Sequence, residues 1–142
     1  MDKIKIDKKT IKAEIKLREE EQEAQREIKR LERNSANLNQ SIIKDEKEAK
    51  KIKKEQEKIK KNIDQLSKNN KNGKNDIKIK KLKSELKKLK EKEKKILLRN
   101  EERERKIQIN KSNKEDIREE WKTKVGNPKL AKYSKTKLKN ML

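Results

Sequence analysis

The chain has 142 residues, of which 51% are charged and 27% hydrophobic, and its formal net charge at pH 7 is +21. With one Trp, one Tyr and no Phe, it lacks the apolar volume for a globular core. Two classes remain: a disordered polar chain, or long helices that pair along a narrow apolar seam.

The composition also argues against catalysis. Because the chain has no Cys and no His, it lacks thiol nucleophiles and the usual zinc ligands. Its sequence contains no Gly-rich phosphate loop. We therefore expect no catalytic residues, no metal site, no cofactor and no small-molecule substrate.

The first predicted segment, residues 1–9, is a flexible N-terminal arm in which Ile4 and Ile6 alternate with charged residues. It resembles neither a secretory signal nor a membrane anchor. No later stretch approaches the roughly 18 apolar residues of a membrane span. We expect an intracellular protein of the cytoplasm or nucleus.

The second segment, residues 10–66, is predicted to be coiled-coil helix 1, with Thr10 as its N-cap. Its a and d positions alternate in steps of three and four, and nine of the twelve are apolar. They are Ile28, Leu31, Ser35, Leu38, Ile42, Asp45, Ala49, Ile52, Gln56, Ile59, Ile63 and Leu66. Ile11 and Ile15 are one position out of phase, which predicts a local adjustment or a contact made elsewhere.

The third segment, residues 67–76, reads SKNNKNGKND. Gly73 and the neighbouring Asn residues tolerate the left-handed backbone that a chain reversal requires. Asp76 is the expected cap of the returning helix. The segment therefore predicts a turn.

Residues 77–125 are predicted to be coiled-coil helix 2, because the same spacing resumes after the turn. Its a and d positions are Ile79, Leu82, Leu86, Leu89, Glu93, Ile96, Asn100, Arg103, Ile107, Asn110, Lys114, Ile117 and Trp121. Residues 126–142 should form a short basic C-terminal helix, since Gly126 stops one helix and Asn127-Pro128 starts another.

The two stripes match if the chain folds back at the turn. With Leu66 beside Ile79, small Ala24 meets Trp121. Two polar layers also coincide, Asp45 with Asn100 and Ser35 with Asn110, while Gln56, Glu93, Arg103 and Lys114 would face apolar partners. The predicted fold is all-α, a long antiparallel coiled-coil helical hairpin. A parallel homodimer through either helix is the main alternative.

Positive charge is concentrated near the turn. Residues 44–95 contain 22 Lys against 10 Asp and Glu, a balance of +12. One flank places Lys53 opposite Lys90 and Lys60 opposite Lys83, and like charges so placed destabilise the free hairpin. The predicted nucleic-acid-binding residues are Lys53, Lys60, Lys71, Lys74, Lys83, Lys90, Lys132, Lys135 and Lys137.

The charge pattern favours a non-catalytic protein that binds structured RNA or DNA electrostatically, such as a ribosome or another ribonucleoprotein. Trp121, Leu130 and Leu138 are predicted to contact a protein partner or a second coiled coil. The alternatives are a structural protein on microtubules or the cytoskeleton, or a protein-protein scaffold. Binding of the tail to a membrane surface is disfavoured by its short apolar face. Two explanations of the same charge need no ligand. The lysines could merely solubilise the helices, or the Lys- and Asn-rich composition could reflect the base composition of the genome.

Overall fold

A computed structural model describes residues 6–142, so most of the predicted N-terminal arm lies outside the described residues. Helix α1 spans Lys8–Lys68, a 3₁₀ turn spans Lys71–Gly73, and helix α2 spans Asp76–Lys122. A second 3₁₀ turn, Pro128–Leu130, and a short helix α3, Lys135–Asn140, complete the chain. Helix α1 packs against α2, and no residue from 6 to 142 lies in a strand. The all-α helical hairpin is therefore confirmed.

The heptad register is confirmed position by position. Every one of the twelve a and d positions from Ile28 to Leu66 is buried or half-buried, as is every one of the thirteen from Ile79 to Trp121. Most residues between these positions are exposed. Since an antiparallel two-helix seam buries one stripe of each helix, both stripes are used within a single chain.

The turn reverses the chain through two left-handed residues, Asn72 with φ 59° and Gly73 with φ 71°. The side chain of Asn70 links both ends of the turn. Its Oδ1 accepts from the backbone N–H of Asn75 at 2.8 Å, and its Nδ2 donates to Asp76 Oδ1 at 2.7 Å. The predicted glycine and asparagine turn is therefore correct, and an amide network fixes its geometry.

The chain divides into two compact units, Ser35–Ile107, here called the turn unit, and a terminal unit formed by the residues up to Asn34 together with Gln108–Leu142. In the turn unit, the polar seam residues bond to one another. Arg103 Nη1 donates to Asp45 Oδ2 at 2.6 Å and to Asn100 Oδ1 at 3.0 Å. Arg103 thus joins the predicted Asp45 and Asn100 layer instead of facing an apolar partner.

Three further seam positions, Gln56, Glu93 and Lys114, differ from the sequence prediction in the same way. Gln56 Nε2 donates to Glu93 Oε2 at 2.8 Å in the turn unit. In the terminal unit, Lys114 lies 3.5 Å from the carboxylate of Glu32. Long polar side chains reach a partner one layer away, so no buried side-chain nitrogen or oxygen of residues 6–142 lacks a hydrogen bond.

The terminal unit contains a small apolar core of its own. Leu130 and Leu138 are completely buried, and they pack with Ile11 and Ile15. Ile6, Tyr133 and Met141 cover this core. Burial of each leucine contributes about 2 kcal/mol, and the out-of-phase isoleucines of α1 make their contact here, outside the coiled-coil seam.

A buried ion pair beside this core holds the C-terminal segment. Glu14 is 7% exposed and accepts from Arg18 Nε at 3.2 Å and from the backbone N–H of Asn127 at 2.9 Å. Arg18 also donates to the carbonyl oxygens of Leu130, at 2.9 Å, and of Tyr133. These bonds satisfy backbone groups where the chain leaves α2.

The predicted N-cap of α1 was wrong. Asp7, not Thr10, precedes the helix, and its Oδ1 accepts from the backbone N–H of Lys9 at 3.3 Å. The short C-terminal helix is confirmed as α3, but it is shorter than predicted, because Ser134 caps it with its side chain 3.2 Å from the backbone nitrogen of Lys137. Asn127 caps the preceding 3₁₀ turn as predicted, with its side chain 3.0 Å from the backbone nitrogen of Lys129.

Candidate nucleic-acid interface

The turn unit exposes a dense set of lysines on its two helices. Lys53 and Lys60 project from α1, and Lys83 and Lys90 project from α2, all exposed. Lysines alternate with apolar residues because only the a and d positions face the seam. In the part of the chain that the structure describes, none of the 22 lysines from Lys44 to Lys95 lies within 4.0 Å of a carboxylate oxygen. Their ammonium groups are therefore available to a ligand.

Two lysines that the sequence places opposite each other line one groove. Lys53 and Lys90 both border a groove of about 470 Å³ on one side of the seam, and Lys94 borders it as well. Ala49 and Ile96, the predicted layer partners, form part of its floor. The sequence interpretation did not single out Lys94, although its position four residues after Lys90 on one helix could have shown it.

The opposite side of the seam carries mixed charge. Glu48, Lys92 and Arg99 line a second groove there. Arg99 makes its ion pair with Asp45, at 3.4 Å. One acidic residue and three cations line this groove, since Lys95 borders it as well. The groove with Lys53, Lys90 and Lys94 is also lined by four acidic residues, Glu46, Glu93, Glu101 and Glu104. Neither groove is therefore uniformly basic.

Lys71 and Lys74 lie at the turn itself and are exposed. The side chains of Asn70 and Asn75 are bonded within the turn, and Asn75 Nδ2 donates to the carbonyl oxygen of Leu66 at 3.2 Å. The amides of these two residues therefore hold the backbone, while the lysines beside them project outward. An ammonium group on a flexible stem can meet phosphate oxygens without reading a base.

The three tail lysines differ from one another. Lys132 is exposed, with its Nζ 5.2 Å from the centroid of the Tyr133 ring, and Lys137 is exposed. Lys135 is half-buried and lies 3.2 Å from Glu19 Oε1. Its hydrogen bond and charge hold the pKa of Glu19 below the ordinary value, with Lys139 contributing less. Lys135 is therefore engaged within the chain.

The predicted protein-contact residues separate into two groups. Leu130 and Leu138 have no exposed surface, so the prediction that they contact another protein is wrong. They fill the core of the terminal unit instead. Trp121 is half-buried and lines a groove of about 380 Å³ with Ala24, Ile28 and Ile117. Lys124 Nζ lies 4.6 Å from its ring centroid.

None of the helices described between residues 6 and 142 combines the length and the apolar character that crossing a bilayer needs. Those residues also contain no group of three or more acidic side chains placed to hold a metal ion.

The geometry defines the class of protein as a basic, all-α helical hairpin with unpaired lysines near its turn. The chain matches no protein-family model, and comparison with curated proteins and with solved structures gives no significant match. A functional interpretation therefore depends on the chemistry of the surface alone.

Proposed function

We propose that this protein is a non-catalytic, intracellular binder of structured nucleic acid, RNA within a ribonucleoprotein or duplex DNA, and that the lysines of the turn unit carry the contact. The observation that supports the proposal is the absence of any carboxylate within ion-pair distance of the lysines from Lys44 to Lys95 among the described residues. In the terminal unit, by contrast, five lysines lie in ion pairs: Lys114, Lys122, Lys124, Lys135 and Lys139.

The mechanism is electrostatic. Each phosphate that a lysine neutralises releases a condensed counterion, so the observed affinity falls as salt rises. The seam keeps the lysine-bearing faces of α1 and α2 fixed, which lowers the entropy lost on binding. With a single Trp and a single Tyr in the chain, stacking on unpaired bases contributes little, and backbone contacts to a folded or duplex nucleic acid dominate.

The proposal is tested by removing four lysines near the turn. We expect a variant with Lys60, Lys71, Lys74 and Lys83 changed to Gln to lose affinity for a labelled RNA stem-loop or DNA duplex. The slope of log K against log salt should fall in magnitude by about 3.6 on duplex DNA if each of the four lysines contacts one phosphate. Fluorescence anisotropy between about 50 and 300 mM salt measures both quantities.

A matched control separates location from total charge. Lys8, Lys12, Lys16 and Lys29 are exposed residues of the terminal unit, and changing them to Gln removes the same charge. The control should keep the slope of the unmodified protein. An equal loss in both variants, or an affinity of the unmodified protein that salt does not alter, would overturn the proposal.

A further inference from the structure

The groove of the turn unit carries a charge order that reverses along one face of α2. Lys90, Lys94, Leu97, Glu101 and Glu104 follow one another in steps of four and three. This spacing places all five on one side of a helix, and all five are exposed and line the groove of about 470 Å³. The sequence along this face is therefore two cations, one leucine and two anions.

The facing helix repeats the same order. Glu46 and Lys53 of α1 line the groove too. Asp45, the neighbour of Glu46, bonds to Arg103, and Gln56, close to Lys53, bonds to Glu93. These contacts place Glu46 at the Glu101 end of the groove and Lys53 at the Lys90 end. Both walls are thus basic at one end and acidic at the other.

This order is unfavourable in an isolated hairpin. Lys90 with Lys94, and Glu101 with Glu104, are like charges one helical turn apart, and such pairs destabilise a helix. Leu97 stands between them with 59% of its surface exposed. None of these four charged residues lies in an ion pair within residues 6–142, so the single chain leaves both like-charge pairs uncompensated. A ligand with its own cations and anions segregated would complement this order.

We propose that a second copy of this chain occupies the groove, related by a two-fold axis that passes beside Leu97. Lys90 and Glu104 are each seven residues from Leu97, about 10 Å along the helix on either side. Rotation about the axis therefore brings Lys90 of one copy to Glu104 of the other, Lys94 to Glu101, and Leu97 to Leu97. A two-fold interface requires this self-complementarity.

The dimer accounts for the features that the single chain leaves uncompensated. The two Leu97 side chains cover each other, and four ion pairs replace the like-charge neighbours on the two copies of α2. The net charge of +21 per chain opposes association, but this repulsion acts at long range and is screened beyond about 8 Å at physiological salt. Close pairs beside an apolar contact are screened less.

This interface leaves the proposed nucleic-acid contact available. Lys60, Lys71, Lys74 and Lys83 do not line the groove, so they stay accessible in the dimer. Lys90 contacts Glu104 of the second copy when no nucleic acid is bound. Dimerisation is therefore a separate property that is measured on protein freed of nucleic acid.

The experiment is a charge swap followed by sedimentation equilibrium at about 0.15 M salt. The unmodified chain, of 17.1 kDa, should reach twice this mass as its concentration rises. A first variant carries Lys90→Glu and Lys94→Glu, and a second carries Glu101→Lys and Glu104→Lys. Each should self-associate at least about tenfold more weakly, because every pair across the axis becomes repulsive.

Mixing supplies the decisive result. The first variant presents only anions and the second only cations on this face, so an equimolar mixture should form the heterodimer. One chain that carries all four changes is again self-complementary and should recover the dimer. Control changes at exposed Lys51 and Lys54, which do not line the groove, should leave the self-association within a few-fold of that of the unmodified chain.

Circular dichroism confirms that each variant keeps its helices. An unmodified chain that stays at the monomer mass at every concentration would overturn the proposal, as would a mixture that does not associate. Self-association that persists in both single-swap variants would also overturn it, because another surface would then hold the copies together. None of these results depends on whether nucleic acid binds.

Discussion

The terminal unit and the turn unit use charge in different ways. Eight cations of the terminal unit lie in ion pairs: Arg18, Arg30, Lys114, Arg118, Lys122, Lys124, Lys135 and Lys139. Within residues 6–142, the ion pairs of the turn unit use only Arg99, Arg103 and Lys106. Ion pairs therefore stabilise the terminal unit more than the turn unit, whose lysines from Lys44 to Lys95 lie in none among the described residues.

The comparison extends to how each unit is stabilised. The terminal unit has a core with completely buried leucines and a buried carboxylate that accepts from Arg18. The turn unit has a seam one residue wide on each helix, interrupted by the bonded Gln56 and Asp45. Loss of an apolar side chain should therefore destabilise the terminal unit most.

The largest effect is expected from Leu138→Ala. Truncating this completely buried side chain leaves a cavity beside Ile11 and Ile15 and should destabilise the terminal unit by about 2 to 4 kcal/mol. Hydrogen exchange should quicken at the amides of α3 and of the first turns of α1. Leu142→Ala, at a residue 44% exposed, is the control, and equal acceleration in both variants would contradict this packing.

A smaller loss of stability is expected from Asp45→Ala in the turn unit. Removing the carboxylate leaves Arg103 in the seam without its acceptor at 2.6 Å. The free energy of unfolding, measured by urea denaturation, should therefore fall by about 1 to 3 kcal/mol. Replacing both residues with leucine should restore most of the loss, since neither charge then remains in the seam. A double variant less stable than Asp45→Ala would refute this account.

Lys83→Glu should stabilise the turn unit slightly. The substitution places a carboxylate opposite Lys60 and removes a like-charge pair, which is worth a few tenths of a kcal/mol at low salt. The gain in thermal midpoint should disappear at about 1 M salt, where charges are screened within about 3 Å. Lys81→Glu is the control, because it changes the net charge equally at an exposed position outside the flank that pairs Lys60 with Lys83. Its thermal midpoint should rise less than that of Lys83→Glu.

The smallest effect is the pH dependence of Glu19. Its pKa in the folded chain is lowered by the hydrogen bond and charge of Lys135, so the pair stabilises the fold above the ordinary pKa of 4.5. This contribution is lost as the pH falls through the lower folded value. Carboxyl titration by NMR should show the depressed pKa of Glu19, and Lys135→Gln should raise it. A pKa of Glu19 that is the same in both proteins would contradict this account.

The sequence predicted the seam and the turn because both depend on local signals. A repeat of three and four residues identifies the buried stripe wherever helices pair, and the left-handed Asn72 and Gly73 are typical turn residues. The partners of polar seam residues were not predictable in the same way. Asp45 was paired with Asn100 from the register, but Arg103 is long enough to reach it from the next layer.

The sequence predicted only part of the core of the terminal unit. The phase of Ile11 and Ile15 indicated a contact outside the seam, yet nothing in the period identified Leu130 and Leu138 as their partners. The tail has no long repeat, and its position depends on Glu14 and Arg18 bonding to its backbone. The charge order around Leu97 was present in the sequence but became visible as a surface only with the groove.

The paired stripes of α1 and α2 also restrict how the length of this chain can change. Deleting one residue inside α1 would rotate everything beyond it by about 100° around the helix axis, which moves the buried stripe away from α2. Insertions are tolerated within the seam when seven residues enter α1 and seven enter α2 at the same layer. Relatives of this protein should therefore differ in helix length by matched heptads, while the turn and the tail absorb irregular changes.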